Sequence, residues 1–437
     1  MPQDIAQALA YAQQLDREDE LRGFRSRFYF PRFAGRAASG GSGEQGEMIY
    51  FCGNSLGLQP VGAEDSIQQE LTDWRELAIG GYWQARNPWM GYPASLRGAL
   101  ARIVGCGEEE VTVMNALTVN LHLLLLSFYR PEGSRSKILM EAGAFPSDMY
   151  AVETQVRWHG YDPREAVVEV APREGEKLIR EEDILAAIDR EKDSVALVLF
   201  GGLNYYTGQL FDMERITAAA HAAGAMAGYD LAHAVGNVPL RLHDWGVDFA
   251  VWCSYKYLNG GPGAAGGAFV HRRHASDPEI PRLGGWWGND ESSRFKMQKG
   301  FIPKPTAEGW SMSTAQVFNM ACLKASLALF EEAGIARLQA KSRKLTAYLS
   351  SLLEPLEGPV FRVITPAEQE RRGAQLSLLF ADAERGRKVQ RRLQEEGVVT
   401  DYREPGVIRV APAPLYNSFE DVYRFYHILR QLLDGVR

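Results

Sequence analysis

A chain of 437 residues is too long for one small domain, so two domains around one site are expected. Its hydrophobic content of 46% and charged content of 24% are those of soluble globular proteins, which excludes collagen-like, coiled-coil and disordered classes. A net charge of −7 lacks the basic excess needed to bind a phosphate backbone, which excludes nucleic acid as a partner.

The first residues, Met1 to Asp19, have helical spacing and neither the basic start nor the apolar centre of a signal peptide, so no export signal is read. Ala37 to Glu47, AASGGSGEQGE, buries too little apolar surface to order itself and is expected to be a mobile loop. Residues 1–47 are thus expected to be a helical segment and a flexible loop that pack with a small C-terminal domain.

From Met48 to Met320, short β-branched runs alternate with Ala-rich helical stretches, the pattern of a large α/β domain with a mostly parallel sheet. Leu117 and Thr118 open an apolar helix that runs through Leu121 to Tyr129. That run is too short to span a bilayer and reads as a buried helix, so no membrane is expected. Free amides at a helix start attract anions, which makes Leu117 and Thr118 phosphate candidates; an ordinary N-cap threonine is the alternative. Phe145, in AFPSDMY, offers a ring to stack on a flat ligand, with Asp148 just beyond, although a core phenylalanine is the commoner case.

Three strand candidates follow, Val195 to Phe200, Ala225 to Tyr229 and Phe249 to Cys253, each ending in polar or Gly-rich sequence. In open α/β sheets, strand ends of this kind hand side chains to a crevice. Asp230 ends the second, His233 lies three residues on, and Lys256 follows the third, ahead of a glycine segment that permits close backbone approach. A lysine so placed can form a Schiff base, and pyridoxal 5′-phosphate (PLP) sites pair it with a carboxylate that keeps the pyridine nitrogen protonated, here Asp230. Read singly, Lys256 is a solvated lysine, Asp230 a turn residue and His233 a core histidine; their joint spacing favours the cofactor.

Residues 321–437 read as an α+β domain: a long helical pattern from Ala328 to Leu353, strand-like Gln375 to Phe380, a charged helix from Ala383, and strand-like segments around Val398 to Glu404 and Val407 to Pro412. Ser418 and Asp421 have the spacing of a capping box for the last helix. Cys52, Cys106, Cys253 and Cys322 are scattered without a CxxC pair, which fits a reduced, cytoplasmic setting. No HExxH, zinc spacing, GxSxG elbow or P-loop is present, so neither a metal nor a nucleotide is expected.

Phe51 to Leu58 (FCGNSLGL), Phe145 to Asp148 (FPSD), Asp230 to His233 (DLAH), Ser254 to Asn259 (SYKYLN), Gly285 to Gly288 (GWWG), Arg294 to Met297 (RFKM) and Ile408 to Asn417 (IRVAPAPLYN) together resemble kynureninase, in that family's order and over most of the chain. The resemblance implies a fold-type I PLP enzyme, aspartate aminotransferase-like, that works as a homodimer with sites at the subunit interface. It also implies cleavage of L-kynurenine to anthranilate and L-alanine within tryptophan degradation, with 3-hydroxykynurenine as a second candidate substrate. By position, Lys256 becomes the Schiff-base lysine, Asp230 the pyridinium partner and Phe145 the stacking ring. Leu117, Thr118, Tyr255, Thr314 and, from the neighbouring subunit, Trp286 serve the cofactor, with Asp148 and His233 completing its shell. Arg409 clamps the substrate carboxylate, a role suited to its planar fork, while Asn54, Trp83 and Thr314 border the substrate. Tyr255 is expected to aid proton transfer near the phosphate. Where many members carry a Ser-Asn pair, this chain has Ser313-Thr314, which with Trp83 leans toward kynurenine over its 3-hydroxy form. Other fold-type I enzymes, a cysteine desulfurase or an aminotransferase, share Lys256, Asp230 and His233, and a non-catalytic PLP-binding homologue is a further alternative.

Overall fold

The computed structural model describes residues 5–33 and 46–434. Its centre is a seven-stranded sheet of β1 (Val111–Val113), β2 (Lys137–Glu141), β3 (Val167–Val170), β4 (Val195–Gly201), β5 (Met226–Asp230), β6 (Phe249–Trp252) and β7 (Gly267–Val270), in spatial order β1-β7-β6-β5-β4-β2-β3. The five strands β2 to β6 pair in parallel, and β7 runs antiparallel to both β6 and β1. Helices cover both faces, so strands such as VALVLF and FAVW are apolar along their whole length instead of alternating.

Parallel pairing matters for the site because it brings strand ends to one edge. Asp230, the last residue of β5, pairs with Val251 on one side and Gly201 on the other. The chain leaving β4, β5 and β6 therefore enters one crevice, carrying Tyr205, His233 and Lys256 respectively. Glu141, at the end of neighbouring β2, reaches the same place.

A second, four-stranded antiparallel sheet contains β8 (Phe361–Val363), β9 (Leu376–Phe380), β10 (Asp401–Arg403) and β11 (Val407–Val410), in the order β8-β9-β11-β10. Its core also takes in the helix Ile335–Leu353 and the last helix, Phe419–Asp434. The N-terminal helix Ile5–Glu18 packs here too, burying Ala8 and Ala12.

The expected capping box is present: Ser418 Oγ accepts from the Asp421 amide at 3.0 Å, and Asp421 accepts from the Ser418 amide at 3.1 Å. Asp16, from the first helix, adds a second cap by accepting from the Phe419 and Glu420 amides. The helical pattern expected to run on from Ala328 is broken: Gly334, at φ 76°, separates Val317–Ala333 from Ile335–Leu353. Most of the Gly/Ser-rich stretch expected as a loop, up to residue 45, lies outside the described residues; its last two, Gly46–Glu47, pair with Arg32–Phe33 as short strands. Among the described residues, no helix is long and apolar enough to cross a membrane.

Candidate active site

The crevice at the ends of β2, β4, β5 and β6 is lined by eight of the residues singled out from sequence: Leu117, Thr118, Phe145, Asp148, Asp230, His233, Tyr255 and Lys256. Its centre is a buried amine. Lys256 Nζ lies 2.9 Å from His233 Nε2 and 5.7 Å from the Phe145 ring centroid, and both Lys256 and His233 are less than one-tenth exposed. Burial and the neighbouring lysine charge hold the His233 imidazole well below its usual pKa, so its neutral ring accepts from the ammonium.

Two carboxyls share the crevice with the lysine. Asp230 accepts from the Ala232 amide at 2.7 Å, a local turn that fixes its rotamer as the chain leaves β5. Asp148, in the first turn of the helix Pro146–Trp158, shares a hydrogen bond with Asp230. Burial and the adjacent Asp230 charge push the Asp148 carboxyl well above the ordinary range, so Asp148 holds the proton of the pair. Burial also raises Asp230, while Lys256 and the Ala232 amide draw it back down.

The helix Leu117–Phe128, whose first two residues line the same crevice, begins with Ala116 at its N-cap and no side-chain cap. Thr118 is the second helical residue and not the cap, and the first-turn amides have no side-chain partner of that kind. The FCGNSLGL motif explains its own glycine here. Gly57 donates its amide to the Tyr255 carbonyl at 2.8 Å, and a Cβ at Gly57 would collide with the Lys256 carbonyl oxygen.

Arg409, on β11, is fully buried and already engaged: Nη1 donates to the Tyr205 carbonyl at 2.8 Å, and Nη2 to Ser55 Oγ at 2.9 Å and Asp401 Oδ2 at 2.6 Å. Its Nε has no protein partner. Asn54 is buried nearby and donates to Gln375 Oε1 at 2.8 Å. Trp83, Trp286 and Thr314 do not line the Lys256 crevice of their own chain; all three are exposed.

Sequence reading missed three participants. Glu141 is buried, and burial pushes its carboxyl up to about 7. Asn204 donates to it, and Tyr205 sets its ring edge-on to Phe145, with centroids 5.3 Å apart. A carboxylate at the end of an apolar strand was the available signal for Glu141. One grouping with metal-ligand chemistry does form despite the sequence expectation of none: Glu110, His243 and His271 approach one another outside this crevice. Glu110 there already accepts from the Gly107 and Arg272 amides and from His243 Nδ1.

The crevice fits PLP by its donor set. It offers an amine for an aldehyde, an aromatic face, carboxyls for a ring nitrogen and an uncapped helix start for a phosphate, while His233 Nδ1 and Asp148 Oδ1 are buried without protein partners.

Comparison with known proteins agrees. Residues 338–429 match the model of the kynureninase C-terminal domain. The chain is 53% identical to a kynureninase of Myxococcus xanthus (strain DK1622) over 421 residues, 96% of each chain. It is 50% identical to a kynureninase of Flavobacterium psychrophilum over 426 residues, 97% of each. In fold it is similar to the apo cysteine desulfurase of Thermococcus onnurineus NA1, with a TM-score of 0.73 at 18% identity, covering 89% of this chain and 95% of that one. The shared architecture is that of fold-type I PLP enzymes.

Proposed function

The chain belongs to the kynureninase family, and from that premise we propose that it hydrolyses L-kynurenine to anthranilate and L-alanine at the crevice around Lys256. It is a PLP-dependent hydrolase acting on a carbon–carbon bond. When bound, PLP supplies an electron sink that stabilises negative charge at the substrate α-carbon.

The chain's own residues divide the remaining work. Lys256 holds the cofactor and, once the substrate amine has taken its place, takes and returns protons at the α-carbon with Nζ, 2.9 Å from the neutral His233 ring. Asp230 keeps the pyridine nitrogen protonated, and Asp148, carrying the shared proton, lets Asp230 remain the anion of the pair. Phe145 stacks on the ring, and Leu117, Thr118 and Tyr255 hold the phosphate. Arg409 binds the substrate carboxylate and Asn54 borders the substrate. Tyr255, with its hydroxyl against Cys253, relays a proton near the phosphate.

The exposure of Trp83, Trp286 and Thr314 supports a homodimer in which the partner's copies complete each cofactor and substrate site. The two sheets support a division into a large domain over residues 48–320 and a small domain over residues 321–437, with the N-terminal helix on the latter. The four free cysteines accord with a cytoplasmic enzyme of tryptophan degradation. The thiols also speak against desulfurase chemistry. Burial raises all four above the usual thiol range, Cys52 to about 11, where a reactive cysteine needs the opposite shift.

The observation that carries this reading is the buried Lys256–His233 contact set over the Asp148–Asp230 pair. Its test is a fluorescence assay for anthranilate with PLP and L-kynurenine, with Lys256→Ala as control and 3-hydroxykynurenine in parallel. Anthranilate and alanine from the parent alone are expected. A reducible PLP adduct at Lys256 without anthranilate would redirect the assignment to a desulfurase or aminotransferase.

A further inference from the structure

Between β4 and β5 the chain makes a turn, residues 204–208, whose carbonyls face the small sheet. Three consecutive carbonyls there accept from side chains of that sheet and its approach. Tyr205 takes Arg409 Nη1 at 2.8 Å and Gln375 Nε2 at 3.0 Å, Tyr206 takes Ser377 Oγ at 2.7 Å, and Thr207 takes Thr365 Oγ1 at 2.6 Å. The turn is thus the mount for Arg409 on the side facing the crevice.

Asn204 builds the turn. Its Oδ1 accepts from the Tyr206 amide, the Thr207 amide and the Thr207 hydroxyl, which leaves Nδ2 to find its own acceptor. That acceptor is Glu141 Oε2 at 2.8 Å, while Glu141 Oε1 takes the Gly201 amide at 3.1 Å. Glu141 is 3% exposed, and a Cβ at Gly201 would stand 2.7 Å from Oε1, so the carboxylate is closely confined. Both of its oxygens face donors, and the Asn204 amide cannot flip without giving up three bonds.

We infer that Glu141 is a positioning residue for substrate-carboxylate recognition: through Asn204 it fixes the turn whose Tyr205 carbonyl orients Arg409. The inference rests on the assignment of Arg409 as the carboxylate clamp. It separates Glu141 from Asp148 and Asp230, which act toward the cofactor ring.

The amide isostere makes the test. In Glu141→Gln, the remaining side-chain oxygen keeps the Gly201 amide and the new NH2 meets the Asn204 NH2, donor against donor. In Asn204→Asp, two carboxylates meet. In the double variant, the new amide donates to the new carboxylate and the link is restored with reversed polarity. On the PLP-loaded enzyme, Glu141→Gln is expected to raise KM for L-kynurenine and the calorimetric Kd for L-alanine about tenfold, with kcat within about twofold, and the double variant to recover most of the loss. Hydrogen exchange over residues 204–210 should quicken in the single variant and return to the parental rate in the double. Unchanged exchange in Glu141→Gln would overturn the link whatever the enzyme's substrate, as would equal losses in kcat and kcat/KM without rescue. A parent that releases no anthranilate would defeat the proposed activity while leaving the exchange result to decide the role of Glu141 in the turn.

Discussion

Lys256 Nζ and His233 Nε2 are 2.9 Å apart in a buried setting, and the imidazole accepts the contact because burial and the lysine charge keep it neutral. A permanently neutral histidine positions the amine without titrating in the working range. His233→Asn should therefore lower kcat/KM by about a hundredfold and leave the pH midpoint of the acid limb where it was. An acid limb that vanishes with the histidine would show that His233 ionises during turnover.

The Asp148–Asp230 pair predicts opposite outcomes for one chemical change. Since Asp148 holds the proton, Asp148→Asn keeps the charge state of the site and should retain activity within about tenfold. Asp230→Asn removes the anion that keeps the pyridine nitrogen protonated and should cost at least about a thousandfold in kcat. Steady-state rates of the two variants, each with its absorbance confirming bound cofactor, decide the assignment. Comparable losses in both would refute it.

Much of this was legible in sequence for a physical reason. Asp230 ends one apolar strand, and His233 and Lys256 lie just past two, and parallel pairing delivers such positions to one edge, so local pattern sufficed. Ser418 and Asp421 were legible because a capping box is a four-residue affair. Glu141, Asn204 and Tyr205 were not, because their roles depend on partners from distant segments: Asn204 is 63 positions from Glu141, and Tyr205 is 204 positions from Arg409. The break at Gly334 was missed because an isolated glycine inside a helical pattern is usually tolerated.

Glu141 also has a consequence for stability. Burial raises its carboxyl from an ordinary 4.5 to about 7, so the folded chain binds this proton more tightly than the unfolded chain. Its contribution is fully present below the unfolded pKa and is lost as the pH rises through the folded one. Relative to Glu141→Gln, which cannot ionise, the cofactor-free parent should thus lose Tm as pH rises through that window. The raised Asp148 pKa acts in the same direction and the lowered His233 and His271 pKa values in the opposite one, and all three are common to parent and variant, so the difference between the two profiles isolates Glu141. Identical Tm profiles for parent and variant would remove Glu141 as a contributor.

Arg409 presents its fork already occupied: Asp401 and Ser55 hold Nη2, Tyr205 holds Nη1, and Nε has no protein partner. An arriving carboxylate would find Nε unpaired but must compete with Asp401 for the Nη2 side of the fork. Asp401 also pairs with Arg403 at 2.9 Å, and the nearby Arg409 guanidinium holds its carboxyl below the usual range, so it stays an anion under working conditions. Asp401→Asn keeps the shape and removes the competing charge. The buried guanidinium then lacks its counter-ion, which should lower the Tm of the ligand-free protein by an amount set by about 3 kcal/mol. A ligand carboxylate would restore the missing partner, so saturating L-alanine should raise the variant's Tm more than the parent's, and its Kd should fall several-fold. Thermal shifts with and without L-alanine measure both terms. A variant that loses stability and gains no extra protection from L-alanine would mean that Asp401 orients Arg409 for the substrate instead of competing with it.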